Sequence, residues 1–379
     1  MKKITLLFAA VVSSVSMNAQ APKKVLLEDF TGTWCGYCPR GKTIMEDCMT
    51  TYPNVIGITD HNGDGLANTF SNAIDAGLAI SSYPGGAVDR FLYSGQTTVG
   101  MSTSQWKSKC ATRLNTVTPV DVQFTSTYNT GTRALSVTVM ANFVGTASGD
   151  MRINCVLMEN GIVTASDPQH NYMGQGCSSP DATSPWYTFP CNITAYVHDG
   201  VARVNLSTDQ WGLAGVIPAS VTSGSNYSTT FTYTVPSAWN ASNVYIVAFV
   251  SKYGTAASAR EVMNTNKGLI GTSTSGATGI SENANVNSVE VIQNSPNPFT
   301  DHTAIQFQLN TTDNVSVKVY DVYGKEIISL VDSKLVPGEH TFYWFGDNQD
   351  GAQVAPGVYY YSISTSSEKV TKPMIFVGQ

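Results

Sequence analysis

The feature that most limits the fold is a change in the hydrophobic pattern near Thr118. Upstream, apolar segments at helical spacing separate three runs that predict buried strands: KVLLEDF, NVIGITD and YPGGAVDRFLY. Downstream, to about residue 262, apolar and polar residues alternate in short runs separated by Gly, Asn and Ser, for example VDVQFTSTY, ALSVTVMANF and VYIVAFV. The first pattern predicts an α/β unit and the second an all-β sandwich.

The two ends of the chain add further segments, so we predict a multidomain protein of α/β and all-β units. Two lysines and an apolar run up to Ala19 are typical of a secretory signal peptide. A stretch rich in Ser, Thr, Gly and Asn predicts a linker, and renewed alternation after it predicts a small Ig-like sandwich. The predicted boundaries are a signal peptide at 1–19, an α/β domain at 20–117, a β-sandwich at 118–264, a linker at 265–288 and an Ig-like domain at 289–379.

Composition excludes one class of partner. Only 13% of residues are charged, and the sequence pI is about 5.3. Nucleic acid is therefore not expected as a partner, because binding its phosphates requires concentrated Lys and Arg. Beyond the signal peptide, no uninterrupted apolar stretch of about 18 residues predicts a transmembrane segment.

Seven cysteines in an exported chain predict disulfides, because the compartment is oxidising. Cys35 and Cys38 form one natural pair. A second pair, Cys177 and Cys191, flanks a loop rich in Pro and Ser. The remaining cysteines are less constrained: Cys48 and Cys110 fall on predicted helices that could pack together, and Cys155 lies in a strand-like run as a buried free thiol.

The CxxC sequence TWCGYCP (33–39) follows the first predicted strand directly, and helical spacing predicts a helix from Cys35 to about residue 51. At a helix N-terminus, unpaired N–H groups and the helix dipole favour a thiolate. Cys35 is then the attacking nucleophile, and Cys38 resolves the mixed disulfide. A static structural disulfide remains the alternative. Zinc is not favoured, since no second CxxC or His pair stands at ligand spacing.

The stretch VLLEDFTGTWCGYC resembles the thioredoxin superfamily, and the resemblance covers residues 24–115. It implies a thioredoxin-like fold, with Asp29 as a buried carboxylate that assists proton transfer and Trp34 as a shield for the disulfide. It also implies a cis-proline at Pro84 that helps to hold a substrate backbone. The Gly-Tyr dipeptide between the cysteines departs from the thioredoxin pattern, as does Thr43 at the position of an expected helix proline.

Other polar motifs predict turns rather than sites. DHNGDG (60–65) resembles the start of a calcium loop, but Ser71 stands where the twelfth-position glutamate is required. GDNQDG (346–351) is read as a turn between strands. The five histidines are scattered along the sequence, and we predict that none forms a cluster with acidic residues. We therefore predict no metal and no cofactor, with calcium at residues 60–65 as the minor alternative.

The last domain resembles the type A sorting domain of type IX secretion in Bacteroidetes. The resemblance rests on five stretches in this order: SPNPF, VKVYDVYGKEI, LVPGEHTFYW, DGAQVAPGVYYYSI and KVTKPMIFV. It implies type IX secretion machinery and a sortase as partners. The protein would be secreted across the outer membrane, to the cell surface or the medium.

The two preceding domains resemble the outer-membrane-protein-28-related family, on the basis of EDFTGTWCGYCPRG and YPGGAVDR. We predict an exported thiol–disulfide oxidoreductase that acts on an unidentified protein thiol or disulfide. The alternative is a non-enzymatic surface binding or structural protein with a static CxxC disulfide, since no electron donor is obvious beyond the outer membrane.

Overall fold

The computed structural model describes residues 19–207, 209–274, 289–291, 294–366 and 368–378. The predicted signal peptide up to residue 18 lies outside the described residues, as does the predicted linker from 275 to 288. Among the described residues, no helix combines the length and the apolar character needed to cross a membrane.

The first part of the chain alternates strands and helices in the predicted order. The helices are α1 (Cys38–Thr51), α2 (Thr69–Leu78) and α3 (Thr103–Leu114). The strands are β1 (Ala19–Gln20), β2 (Val25–Thr31), β3 (Val55–His61) and β4 (Gly85–Val88). Helix α2 begins at a capping box in which the Asn68 side chain accepts from the Ser71 amide and Ser71 accepts from the Asn68 amide. Helix α1 begins at Cys38 rather than at Cys35 as predicted, because Cys35 to Tyr37 form a turn ahead of it.

The middle of the chain is almost entirely β-structure. Its long strands are joined by short ones and by 3-10 turns at Ala241–Asn243 and Ala257–Ala259. The strands are β5 (Val120–Tyr128), β6 (Ala134–Phe143), β7 (Ala147–Ser148), β8 (Met151–Glu159), β9 (Ile162–Val163), β10 (Gln169–His170), β11 (Asn192–Ile193), β12 (Val197–His198), β13 (Val201–Asn205), β14 (Ser220–Val221), β15 (Asn226–Thr234), β16 (Val244–Lys252), β17 (Val262–Leu269) and β18 (Ser273–Thr274).

One seven-stranded sheet combines strands from both sides of the predicted boundary at residue 118. Its order is β17-β16-β8-β13-β3-β2-β4. The strands of the two predicted domains meet at β13. This strand runs parallel to β3, where Val201 pairs with Thr59, and antiparallel to β8. The two predicted domains therefore share a sheet. Residues 265–269, predicted as linker, continue β17, because their backbone pairs with β16.

Three layers of apolar contacts cover this sheet. On one face α2 packs against alternate residues of β2, β3, β8 and β16, such as Phe30 and Val156. On the opposite face, α1 and α3 cover β2, with Trp106 fully buried. The remainder of that face packs against the four-stranded sheet β15-β6-β5-β18, as in a sandwich. All residues of β2 and of β8 are buried, because both faces of these central strands are covered.

The C-terminal part forms a separate sandwich with its own core, in agreement with the predicted Ig-like unit. Its sheets have the orders β1-β22-β21-β24-β25 and β19-β20-β23. Its strands are β19 (Val289–Val291), β20 (Thr303–Leu309), β21 (Asp313–Tyr320), β22 (Glu326–Leu335), β23 (Gly338–Trp344), β24 (Gly357–Ser364) and β25 (Lys369–Phe376). Tyr343 connects this sandwich to the helical face, because its ring packs edge-on against Tyr52 at 4.9 Å and its backbone exchanges hydrogen bonds with the Asn115 side chain.

Candidate functional site

Cys35 and Cys38 form a disulfide in the turn between β2 and α1. The Cys35 amide donates to the Gly32 carbonyl (3.0 Å), and the Cys38 amide donates to the Cys35 carbonyl (3.1 Å). This turn brings both sulfurs to the start of α1, where Cys38 is the first helical residue and Pro39 follows. Pro39 fits there because its missing N–H would have no partner in the first turn.

Asp29 and Pro84 meet the same helix at Gly41. A Cβ atom on Gly41 would lie 2.8 Å from the Pro84 Cβ and 3.1 Å from the Asp29 Oδ2. Only the absence of a side chain lets α1 approach both residues so closely. The Tyr83–Pro84 peptide bond is cis, as the sequence resemblance implies. Asp29, Pro84 and the CxxC helix therefore converge at one end of β2.

The Asp29 carboxyl group is deeply buried. It is 1% exposed, and its Oδ1 has no hydrogen-bond partner among the described residues. Burial raises the pKa of Asp29 well above its usual range, and the neighbouring Asp60 raises it further. Such a carboxyl group beside a dithiol can donate a proton in its protonated form and accept one in its ionised form during exchange.

Trp34 borders the site on its solvent side. Its ring is 40% exposed, and its Nε1–H donates to the Asn62 carbonyl (2.7 Å). The ring also packs edge-on against Tyr83, the neighbour of Pro84, with 5.1 Å between centroids. The structure thus connects Trp34 to the Pro84 turn through Tyr83.

A long segment, residues 164–198, covers the CxxC turn, and we call it the lid. The His170 amide donates to the Thr33 carbonyl (2.7 Å), and the Tyr172 amide donates to the Gly36 carbonyl (2.9 Å). The Gln169 side-chain amide donates to the Cys35 carbonyl (2.9 Å). The lid therefore binds the backbone of the CxxC turn as an extended peptide would.

The Tyr172 ring lies directly over the middle of the CxxC turn. A Cβ atom on Gly36 would lie 2.2 Å from Cγ of that ring, so only glycine fits beneath it. Tyr37 packs edge-on against the same ring, with centroids 5.5 Å apart. As a result Cys35 is only 5% exposed and Cys38 only 2%. The sequence motifs do not predict this cover, because the contacts are to backbone atoms and a small turn residue.

The lid is also held along the rest of its length. A second disulfide, Cys177–Cys191, links two of its parts, as the sequence predicts. Arg40 of α1 pairs with Asp181 (2.6 Å) at the surface, and the Trp186 Nε1–H donates to the Thr43 hydroxyl (3.0 Å). Thr43 therefore has a contact of its own with the lid.

A cluster of polar side chains lies between the lid and the end of β3. His61 Nδ1 bonds to Asp64 Oδ2 (2.6 Å), and the same carboxylate accepts from the Thr33 amide (2.8 Å). The Thr33 hydroxyl donates to Asp167 of the lid (3.0 Å). His198 packs edge-on against His61, with 5.1 Å between rings. The prediction that the histidines are scattered, without acidic partners, is therefore wrong for His61 and His198. The i,i+3 spacing of His61 and Asp64 was the sequence signal that could have indicated this pair.

Acidification is expected to loosen the lid through His198. Burial, and then the nearby His61, lower the pKa of His198 to about 3, from an ordinary value of 6.5. Lys42 also lowers this pKa, whereas Asp64 and Asp167 oppose the shift. An open lid restores the ordinary value, so below pH 6.5 the open form binds a proton that the closed form rejects. Each pH unit in that window favours opening by up to about 1.4 kcal/mol.

Hydrogen exchange of the His170 and Tyr172 amides measures this effect. After correction for intrinsic rates, protection should fall between about pH 7 and about pH 5. His198→Asn, which cannot take up the proton, should show much less pH dependence. Equal pH dependence in the variant and the wild type would contradict the assignment to His198.

Below the site, buried ion pairs connect β2 with the segment that follows β4. Arg90 Nε and Nη2 bind both oxygens of Glu28 (2.6–3.1 Å), and both residues are at most 2% exposed. Asp89 pairs with Lys23 and with Arg113, at 2.8 Å each. Glu28 belongs to the EDF stretch, and Asp89 and Arg90 belong to the AVDR stretch. Sequence reasoning missed the network, because no local spacing connects the two stretches.

The remaining cysteines are free and buried: Cys48, Cys110 and Cys155. Cys48 and Cys110 meet where α1 packs on α3, as the sequence suggested, and Cys48 and burial raise the pKa of Cys110. Burial likewise raises the pKa of Cys155.

All three thiols should resist alkylation at neutral pH in the native protein. A thiol reagent should titrate about three groups per chain after unfolding without reductant. Rapid native labelling would contradict this burial.

The described residues contain no group of three or more His, Cys, Asp or Glu arranged to hold a metal ion. Residues 60 and 61 end strand β3, and the rest of the 60–65 stretch forms a turn in which Asp64 Oδ1 accepts from the amides of Leu66 and Ala67. The Asp64 side chain therefore stabilises the local turn by accepting backbone hydrogen bonds.

Comparison with known proteins gives a family and a common fold. The family model described as outer membrane protein Omp28 matches residues 71–274, more than half of the chain, and the model described as FlgD Ig-like domain matches 293–369. The structure of HBP35 of Porphyromonas gingivalis aligns with a TM-score of 0.52 at 16% identity, over 94% of this chain and 99% of that one. No curated protein matches the sequence.

Two further structures from Porphyromonas gingivalis align less well. PorZ, described as an essential surface component of the type IX secretion system, aligns at 25% identity with a TM-score of 0.18, over 35% of this chain and 15% of PorZ. Dimeric latent PorU aligns at 15% identity with a TM-score of 0.21, over 70% of this chain and 20% of PorU. These TM-scores are too low to indicate a shared overall fold.

Proposed function

This chain belongs to the Omp28 family of outer membrane proteins, and we propose that it acts at the cell surface as a thiol–disulfide oxidoreductase with a thioredoxin-like site. The observation that carries the proposal is the convergence of three features on one helix. The Cys35–Cys38 disulfide lies at the start of α1, and the buried Asp29 and Pro84 both approach α1 at Gly41. A purely structural disulfide does not require a buried carboxyl group beside it.

The proposed exchange begins from the reduced site. The Cys35 thiolate attacks one sulfur of a substrate disulfide, and the other substrate sulfur leaves as a thiolate that takes up a proton. Asp29, when ionised, removes the proton of Cys38, and the Cys38 thiolate then attacks the Cys35 sulfur. The substrate leaves as a dithiol, having gained two electrons and two protons, and the site is oxidised to the Cys35–Cys38 disulfide. The same steps in reverse oxidise a substrate dithiol.

Dithiothreitol-driven reduction of insulin by the mature chain tests the activity. We expect the wild type to accelerate reduction and Cys35→Ser to abolish the acceleration, because no nucleophile remains. Cys155→Ala is the matched control, since it removes a buried thiol of β8 and leaves the CxxC turn intact. Equal activity in wild type and Cys35→Ser would exclude the enzymatic function.

We further propose that the C-terminal sandwich, residues 289–379, is a type A sorting domain. Type IX secretion machinery and a sortase would be its partners, and the rest of the chain would be secreted to the cell surface. The Ig-like match at 293–369 and the sequence resemblance support this proposal. Deletion of 289–379 should leave the remainder in the periplasm, as cell fractionation would detect. Deletion of 275–288 alone is the control, and surface delivery of the first variant would contradict the proposal.

One observation favours the alternative function, a surface binding or structural protein. The disulfide lies beneath Tyr172, and Cys35 is 5% exposed. A static disulfide needs no access to substrates. The insulin assay separates the two functions, provided that the reductant can reach the site.

A further inference from the structure

The two disulfides differ sharply in their access to solvent. Cys35–Cys38 is buried beneath the lid. Cys177–Cys191 lies within the lid itself, with Cys191 exposed and Cys177 half-buried. An incoming thiolate must reach a sulfur atom to start exchange. The lid disulfide is therefore the one that a reductant in solution can attack.

The exposed disulfide also fixes the part of the lid that covers the CxxC turn. The Asn171 amide donates to the Cys191 carbonyl (2.8 Å), and the Asn171 side chain donates to the Trp186 carbonyl (2.9 Å). Asn171 stands between His170 and Tyr172, whose amides bind the CxxC turn. We call the Cys177–Cys191 disulfide the staple. At its other end, a Cβ atom on Gly174 would lie 2.8 Å from the Cys177 sulfur. The staple and the covering residues are thus packed as one unit.

We propose that the lid is a cover released by reduction, in which cleavage of Cys177–Cys191 by an external dithiol exposes Cys35–Cys38. The lid has mostly irregular backbone, with one internal strand pair, β10–β11, and a second pair, β12–β9, at its end. The Cys177–Cys191 cross-link is a covalent constraint within it. Cleavage lengthens the free chain between its attachments and so increases the entropy of the open form. The proposal concerns access to the site, and its biological purpose rests on the proposed oxidoreductase function.

The chemistry of release is balanced by the dithiol. Its first thiolate attacks the exposed Cys191 sulfur, and Cys177 leaves as a thiolate that takes up a proton. The second thiol of the reductant loses its proton and attacks the reductant's own first sulfur in the mixed disulfide. Cys191 then leaves as a thiolate and takes up a proton. The reductant becomes a disulfide, and the lid gains two electrons and two protons as Cys177 and Cys191 thiols. A second equivalent of dithiol can then reduce Cys35–Cys38 in the uncovered turn.

Timed reduction of the full oxidised chain tests the order. Dithiothreitol is added, samples are quenched with acid and alkylated, and each cysteine is quantified by mass spectrometry. Cys177 and Cys191 should be labelled first, and Cys35 and Cys38 after a lag. Simultaneous labelling, or labelling of Cys35 and Cys38 first, would overturn the proposal. This measurement needs no variant and so does not depend on a variant's folding.

Variants then separate the staple from the ring that covers the turn. The double variant Cys177→Ser with Cys191→Ser should lose the lag and reduce Cys35–Cys38 about tenfold faster or more. Tyr172→Ala should also accelerate this step while the staple is intact. Tyr187→Ala, in the same lid and without an aromatic contact to the CxxC turn among the described residues, is the matched control and should keep the wild-type rate. Unchanged rates in both test variants would refute a gating role.

Failure of the gate and failure of the enzyme give different results. If insulin reduction is absent but the labelling order holds, the lid gates a site that does not turn over. If insulin is reduced but both disulfides react together, the oxidoreductase stands without a gate.

Discussion

A Glu28→Ala variant is expected to lose about 3–5 kcal/mol of unfolding free energy, because it leaves the Arg90 guanidinium buried and unpaired. Arg90 is 1% exposed and donates hydrogen bonds to both oxygens of Glu28. Within the described part of the chain, its Nη1 has no hydrogen-bond partner. Glu28 is therefore the main compensation for a charge that cannot reach water. Urea denaturation of wild type and variant at neutral pH measures the loss.

Asp60 gives this prediction an internal check. Burial raises the pKa of Asp60, with a further rise from Glu28 and an opposing contribution from Arg90. Removal of Glu28 leaves Arg90 as the dominant neighbour, so Asp60 should ionise more readily and partly replace the lost carboxylate. The loss should therefore be smaller at high pH than at low pH. The double variant Glu28→Leu with Arg90→Met, which removes both charges, should lose less than Glu28→Ala. A single-variant loss below about 1 kcal/mol would show that the pair is dispensable.

An Asp29→Asn variant is expected to gain stability over the wild type as the pH rises. The folded pKa of Asp29 is raised, so from about pH 4 upward the unfolded chain releases a proton that the folded chain retains. This linkage costs the wild type up to about 1.4 kcal/mol per pH unit until the pH reaches the folded pKa. Asn has no such proton. The difference in unfolding free energy between the variant and the wild type should therefore widen from about pH 4 up to the folded pKa of Asp29.

Denaturation curves at a series of pH values test this prediction. Below about pH 4 the gap should be constant, because Asp29 is protonated in both states of the wild type, and this arm serves as the control. The variant should also exchange disulfides more slowly by about a hundredfold if the carboxyl group moves the proton of Cys38. A gap that does not change with pH would mean that Asp29 is ionised in the folded protein.

Much of the first part of the fold could be predicted because its signals are local. The strand runs, the helical spacing and the CxxC turn are each contained in fewer than twenty residues, and Cys35, Cys38, Asp29 and Pro84 do meet at one end of β2 and α1. The start of α1 was misjudged by one turn, since periodicity cannot distinguish a turn from the first residues of a helix. The Cys177–Cys191 pair was also predictable, because a short irregular loop brings its ends together.

The features that decide access to the site could not be predicted in this way. Gln169 bonds to the Cys35 carbonyl across 134 residues, and the bond uses a backbone acceptor that every residue possesses. Strand β13 joins β3 by backbone pairing, which leaves little side-chain signature beyond a short apolar run. The Glu28–Arg90 pair is separated by 62 residues and follows from the antiparallel pairing of β2 with β4. These contacts depend on how elements assemble.

The shared sheet also sets an order of events while the chain is made and exported. The CxxC segment is synthesised first. Val201 of β13 follows its partner in β3, Thr59, by 142 residues, and Gln169 of the lid follows Cys35 by 134 residues. In that interval β3 has an open edge, which can pair with other chains. Cys35 and Cys38 are uncovered in the same interval and can be oxidised freely. The Cys35–Cys38 disulfide can therefore form before the lid encloses it.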